Sequence, residues 1–267
     1  MCIGAFAFVW GWKWEKTGTW YGMFNEWREV TENISVPCPG CESETVAIIE
    51  ECWTGARRKN PAPTIRGVDV GTRRLPGMRF SVERGTTVPL HVDATQALGH
   101  KLTAVWAITE EIVSNAVGGA FEATNPLLTG LWTGSREDLA YGLSVELNTS
   151  NLPSSEAFRL YVFVREDPAS LGNRTFPLHE ASATLPFHIC HTARPTEACH
   201  EHVEYARRIG IRADRGAYPG VTPASSFEEV QMSLFMKGDR TCSMPCGLEQ
   251  YCHTATRWEQ CYDHVKW

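Results

Sequence analysis

The residues with the most chemical potential in this chain are its cysteines and the histidines beside them. Cys38-Pro39-Gly40-Cys41 and the Cys-His steps at 190–191, 199–200 and 252–253 are types that either ligate zinc or close disulfides. Structural zinc takes four ligands in tightly spaced pairs. Only Cys38 and Cys41 form such a pair, with Cys52 nearby and no clear fourth ligand. Disulfides are therefore the reading adopted, with zinc and unpaired thiols as its alternatives, and no metal site is assigned. Ser225-Ser226-Phe227-Glu228-Glu229 looks nucleophilic on the surface, but a serine followed by carboxylates in the first turn is a helix N-cap. No phosphate-cradling glycine loop and no Gly-x-Ser-x-Gly elbow occurs, so no cofactor is expected.

Cysteine placement and composition set the compartment and exclude some partners. Of 10 cysteines, four lie at or before Cys52 and six from Cys190 onward, with none between. Cysteine-rich flanks around a cysteine-free stretch fit disulfide staples where a hydrophobic core is thin. Asn33, Asn148 and Asn173 are Asn-x-Ser/Thr acceptors, so an extracellular or cell-surface glycoprotein is expected. A net charge of -6 gives no electrostatic reason to expect nucleic acid. No apolar run approaches the roughly 20 residues a membrane-spanning helix needs. The apolar Met1–Trp10 stretch lacks a basic flank and a small-residue cleavage site, so it reads as a strand rather than a signal peptide. The chain is accordingly expected to be a piece of a longer secreted protein, its signal lying upstream.

Three parts must position these residues. Residues 1–60 hold six tryptophans, a buried strand over Ile3–Val9, and a helix over Ser43–Trp53 with Val46, Ile49 and Cys52 or Trp53 on one face. Asn60-Pro61-Ala62-Pro63 reads as an extended joint, because two prolines two apart exclude regular structure. Residues 62–189 read as an antiparallel β-sandwich. Val88, Leu90 and Val92 alternate along one segment, Leu102, Ala104, Trp106 and Ile108 along a second, and Phe158, Leu160, Val162 and Val164 along a third. Ala183–Ile189 closes the series. Trp106 is assigned to packing.

Residues 190–267 contain a repeat at an offset of 62: Cys190-His191-Thr192-Ala193, Cys199 and His202-Val203 recur as Cys252-His253-Thr254-Ala255, Cys261 and His264-Val265. Residues 190–246 are read as one cysteine-rich module and 247–267 as a truncated second copy. Cys190, Cys199, Cys242 and Cys246 are expected to pair among themselves, with three connectivities open. Val203, Tyr205, Ile209, Ile211, Phe227, Val230, Leu234 and Phe235 would form its core. Cys252 and Cys261 would lack the corresponding late pair.

The run Phe8-Val9-Trp10-Gly11-Trp12-Lys13-Trp14-Glu15-Lys16-Thr17-Gly18-Thr19-Trp20-Tyr21-Gly22-Met23-Phe24 resembles the last barrel strand and following loop of a glycoside hydrolase family 2-type TIM barrel. Those proteins continue, as here, through a helix ending in Trp-x-Gly (Trp53-Thr54-Gly55) and a Pro-rich joint into a cadherin- or PKD-like sandwich. The fold expected from the resemblance is mainly β: an immunoglobulin/cadherin-like β-sandwich, preceded by the remnant of a TIM-barrel end. A small α-rich cysteine module, similar to tandem modules of extracellular proteins, follows it. Barrel active sites lie at the C-terminal ends of the strands, so the resemblance implies a sugar-binding wall made of Trp10, Trp12, Lys13 and Glu15, with Trp14 beside them. Glycoside hydrolysis needs two carboxylates flanking the scissile bond, and in such barrels both come from earlier strands. Where related sandwiches carry an acidic D-x-x-G-D turn, this chain has Asp93 through Gly99 and then His100, a loss of charge that argues against calcium.

Two readings of function follow. In the first, the chain is a non-catalytic portion of a secreted carbohydrate-active protein, contributing accessory or binding modules toward an oligo- or polysaccharide. In the second, it belongs to an extracellular carbohydrate-binding or adhesion protein without enzymatic activity, its tandem modules supplying avidity.

Overall fold

The computed structural model describes residues 24–25, 41–75, 80–111, 126–153, 157–167 and 179–247. The Ile3–Val9 strand, Trp10, Trp12, Lys13, Trp14, Glu15, Asn33, Asn173 and the second repeat copy from residue 248 lie outside them. The chain divides into two compact units, one of Met1–Phe80 with Gly85–Phe187, the other of Ser81–Arg84 with His188–Trp267.

The first unit is mainly β. Two short strands, β1 (Phe24–Asn25) and β2 (Cys41–Ser43), precede helix α1 (Glu44–Thr54). Then come β3 (Thr64–Val70), β4 (Arg73–Leu75), β5 (Phe80–Glu83), β6 (Thr87–Thr95) and β7 (Leu102–Glu110). They are followed by β8 (Ala140–Tyr141), β9 (Ser144–Asn148), β10 (Ala157–Glu166) and β11 (His179–Cys190); Ser81–Glu83 of β5 and His188–Cys190 of β11 belong to the second unit. One sheet has the order β4-β3-β6-β9 and is antiparallel throughout. The other runs β1-β2-β11-β10-β7-β8, with β5 also pairing β11. It is mixed, because β2 lies parallel to the start of β11.

Residue type explains most of this. In β6, exposed Thr87, Pro89 and His91 alternate with buried Leu90 and Val92, the pattern of a strand with one covered face. In β7 and β10 the alternation expected from sequence holds for one face, but the other is buried as well. Val105, Ala107, Tyr161 and Phe163 form a second apolar cluster with Leu127 and Leu139. The segment between β7 and β8 covers that face: Leu128 N–H donates to Ile108 O at 2.8 Å, and Thr109 bridges Leu127. Trp106 is fully buried, pairs with Val162 across the sheet, and donates from its indole N–H to Gly142 O at 2.7 Å. Phe187 stacks between Phe80 and Phe158, at 4.9 and 5.3 Å.

Helix α1 ends where Gly55 adopts a left-handed φ of 68° and donates its N–H to Glu51 O. Of the face expected to be apolar, only Ile49 is buried, and Trp53 is 63% exposed. The Asn60–Pro63 joint carries no helix or strand and is packed rather than free, with Ala62 and Pro63 both buried.

In the second unit, α2 (Ala198–Tyr205) passes through a widened i→i+5 turn (Ala206–Gly210) into α3 (Ile211–Ala213), and α4 (Phe227–Met236) follows. The core is Cys199, Val203, Ala206, Ile211, Val221, Val230 and Leu234, with Tyr218, Phe227 and Phe235 packed on it. Tyr205 and Ile209, expected in this core, are 57% and 53% exposed. Ala206 and Gly210, three and seven residues after Val203 and on its helical face, are buried instead. Gly210 is required there: a Cβ would sit 2.5 Å from the Tyr218 hydroxyl. Ser226 caps α4 reciprocally, its hydroxyl accepting from Glu229 N–H while the Glu229 carboxylate accepts from Ser226 N–H.

Candidate functional site

Among the described residues of the first unit, a set of ionisable groups gathers where strand ends meet. Glu166 ends β10, His179 begins β11, His100 follows the turn after β6, and Glu42 lies in β2. Parallel pairing sets Glu42 opposite His179. The Glu166 carboxylate receives a ring nitrogen on each oxygen: His100 Nδ1 at 2.5 Å on Oε1 and His179 Nδ1 at 3.2 Å on Oε2. His179 Nε2 lies 3.4 Å from Glu42 Oε2, and Arg58 clamps that same oxygen. Asn60 joins through its side chain, accepting from Gln96. Gln96 in turn holds its own turn by accepting from the Leu98 and His100 backbone N–H groups.

Burial removes water from these groups, and the electrostatics follow. Desolvation pushes the Glu166 carboxyl up, but hydrogen bonds and charge from His100 and His179 outweigh it and hold the group below its ordinary value. A deeply buried carboxylate shared by two imidazoles cannot also meet a substrate. Arg165 and Glu180, 3.9 Å apart and buried, lie alongside on the same strand ends. Among the described residues, no three His, Cys, Asp or Glu side chains are arranged to hold a metal ion. A half-open cleft of 380 Å³ runs between β3 and β11, and its charged lining residues are Glu44 and Arg66. That set contains no carboxylate pair.

The second unit resolves the open cysteine pairing. Cys190 bonds Cys246 and Cys199 bonds Cys242, a nested arrangement. Cys41 and Cys52 are disulfide-bonded too. Gln231 is fully buried at the centre of the nest. Its carbonyl oxygen accepts from Ala193 N–H at 2.9 Å, and its amide donates to His191 O and Ser243 O at 2.7 and 2.8 Å. Thr192 accepts from Cys246 N–H at 3.1 Å. His191 Nε2 meets Glu197 at 2.7 Å, and His202 Nδ1 meets Asp239 at 2.8 Å. Thr241, first through its hydroxyl, and then His202 hold the Asp239 carboxyl below its ordinary range.

The residues retained by the repeat are thus the ones that fasten residues 190–203 to one another and to residues 231–246. Glu197 belongs to this set, and its counterpart Glu259 at the same offset was the signal available in sequence. No comparable signal marked Glu42, Glu166, His179 or Gln231, because their partners are remote in the chain. Among the sequence-assigned glycosylation sites, Asn148 is described. It ends β9, half-buried, with its side-chain oxygen accepting from Ser150 N–H at 3.0 Å. None of the described residues forms a helix long and apolar enough to cross a membrane.

No protein-family model and no curated protein matches the chain. Among solved structures, the crystal structure of domain 1 of VCBP3 from Branchiostoma floridae is similar to 48% of this chain and 96% of its own, at 13% identity and a TM-score of 0.23.

Proposed function

We propose that this chain is a non-catalytic accessory portion of a secreted, carbohydrate-active protein of the glycoside hydrolase family 2 type. The Trp10–Phe24 run carries the reading, since its tryptophans, Lys13 and Glu15 are the side chains that stack on pyranose faces and reach their hydroxyls. Residues 1–60 are then the end of a TIM barrel, residues 62–189 an immunoglobulin/cadherin-like sandwich, and residues 190–246 a cysteine-rich module with a second copy beginning after it. The disulfides support an extracellular location, and the sequons at Asn33, Asn148 and Asn173 would carry glycans.

The non-catalytic assignment is supported by how the clustered carboxylates are used. Glycosidases keep two carboxyl groups open toward a sugar. Glu42, Glu166 and Glu180 are buried, and the first two are clamped by arginine and histidine. The test is twofold. The purified chain should leave aryl-glycosides and polysaccharides intact, and immobilised polysaccharide should retard it in affinity electrophoresis, with Trp10→Ala and Trp12→Ala weakening the retardation. Turnover abolished by a point change within the chain would overturn the non-catalytic reading. Absence of retardation by every polysaccharide tried would overturn the carbohydrate reading.

A further inference from the structure

We propose that residues 252–265 are a second ligand for the face made by residues 227–246. They exchange on it with residues 190–203, so that Cys242 and Cys246 pair either with Cys199 and Cys190 or with Cys261 and Cys252. Residues 190–203 are fastened to that face by the Cys190–Cys246 and Cys199–Cys242 bonds and by Ala193 N–H donating to Gln231. Thr192 accepts from Cys246 N–H, His202 meets Asp239, and Val203 lies in the core. At the offset of 62 each of these residues recurs unchanged, as Cys252, Cys261, Ala255, Thr254, His264 and Val265. His200, whose ring centre lies 5.0 Å from that of Phe227, is replaced by another ring, Tyr262. The remaining differences, at Arg194, Pro195, Thr196, Ala198 and Glu201, all fall at exposed positions. What the face touches is therefore the same in both segments.

Chain geometry permits the exchange. The Cα atoms of Cys190 and Cys246 are 4.9 Å apart, and a unit whose start and end lie together tolerates circular permutation. Residues 247–251 span up to roughly 18 Å when extended, enough to bring Cys252 to the place of Cys190. Gly247 turns the chain directly after Cys246, with a φ of 85°. Residues 206–265 are then the same module with its first segment moved to the end. The exchange conserves thiols and disulfides. The Cys252 thiolate attacks Cys246 Sγ; the Cys246–Cys252 bond forms, the Cys190–Cys246 bond breaks, and Cys190 leaves as a thiolate that takes up the proton Cys252 gave. Cys261 displaces Cys199 from Cys242 in the same way, with no net oxidation. Cys246 is the point of attack, because it is half-buried while Cys190, Cys199 and Cys242 are buried.

The experiment holds the full chain in a buffer of reduced and oxidised glutathione, which lets disulfides exchange without removing them, then alkylates it and maps its bonds unreduced by mass spectrometry. Cleavage at Met244, Glu249 and Arg257 separates Cys242, Cys246, Cys252 and Cys261. The wild-type chain should contain Cys246–Cys252 and Cys242–Cys261 bonds beside Cys190–Cys246 and Cys199–Cys242. Cys190→Ser with Cys199→Ser should carry the second pair and keep the Val230 amide protected from hydrogen exchange within about tenfold of wild type. Adding Cys252→Ser and Cys261→Ser to that chain should cost more than about a hundredfold of the protection. Ala255→Pro removes the N–H that would meet Gln231; it should abolish protection in the Cys190→Ser, Cys199→Ser chain and leave that of the wild-type chain unchanged. Three results would overturn the exchange: no Cys246–Cys252 bond in the equilibrated wild-type chain, either other pairing of Cys242, Cys246, Cys252 and Cys261 in Cys190→Ser with Cys199→Ser, or indifference of that variant to Ala255→Pro.

Discussion

Removing one of the two nested disulfides should destabilise the second unit by about the same amount whichever is removed, and removing both should unfold it. The separations are 56 residues for Cys190–Cys246 and 43 for Cys199–Cys242. In the chain-entropy model, closing such loops alone stabilises by ~4.2 and ~4.0 kcal/mol. Nesting changes the second closure. With the inner bond in place, the outer one closes only about 13 further residues, the difference between the two separations, and that is worth ~3 kcal/mol. The pair together contributes ~7 kcal/mol, so either single loss costs ~3 kcal/mol.

A core of this size supplies only about 3–5 kcal/mol by itself, which is why the chain lacking both bridges should not hold this fold. Native-state hydrogen exchange at the amides of Val203 in α2 and Val230 in α4 reads the opening free energy in Cys190→Ser with Cys246→Ser, in Cys199→Ser with Cys242→Ser, and in the quadruple variant. A single loss costing under ~1 kcal/mol, or a quadruple variant as protected as either double, would refute loop closure as the source of stability.

Three further outcomes are expected. Trp106→Ala should cost about 3–5 kcal/mol in denaturant unfolding, because it leaves a cavity and strips Gly142 O of its indole donor; a cost under ~1 kcal/mol would contradict its burial. Gln231→Leu, close in volume, should cost ~2–4 kcal/mol by orphaning Ala193 N–H and two backbone carbonyls, where a purely space-filling role would make it nearly neutral. Glu166 has its pKa lowered in the folded state from the 4.5 of a free carboxyl, so its contribution is present above about 4.5 and lost as pH falls through the lower folded value. The acid limb of the stability profile should therefore flatten in Glu166→Gln, and an unchanged acid limb would show that the carboxylate contributes nothing there.

How much of this was legible in sequence depended on whether a residue's partner is near in the chain or fixed by periodicity. Leu90, Val92, Ala104, Trp106 and Val162 reveal themselves because a strand repeats every two residues. Ser226 and Glu229 do so because a capping box spans one helical turn. The covered second face of β7 and β10 was not legible: Val105 and Phe163 look like an outer face until Leu127 and Leu139 arrive from a segment with no periodicity of its own. Tyr205 and Ile209 misled because they are large and apolar, yet two and six residues after buried Val203 they fall off its helical face and are exposed. The histidine–carboxylate cluster was hidden most completely, since Glu42, His100, Glu166 and His179 belong to four separate segments.

The Cys190–Cys246 bond also has a mechanical meaning. It joins the first and last residues of the cysteine-rich stretch, with Cα atoms 4.9 Å apart. Tension entering the chain at His188 and leaving at Gly247 would travel through a covalent bond and bypass the helices between. Pulled to full extension, an unbridged stretch of this length would pay out roughly 190 Å, whereas the bridged one contributes the width of a single crosslink. A string of such units would transmit force at nearly constant length under oxidising conditions and become a long, soft tether once both nested bonds were reduced. Single-molecule extension with and without reductant would read that difference directly as a change in contour length.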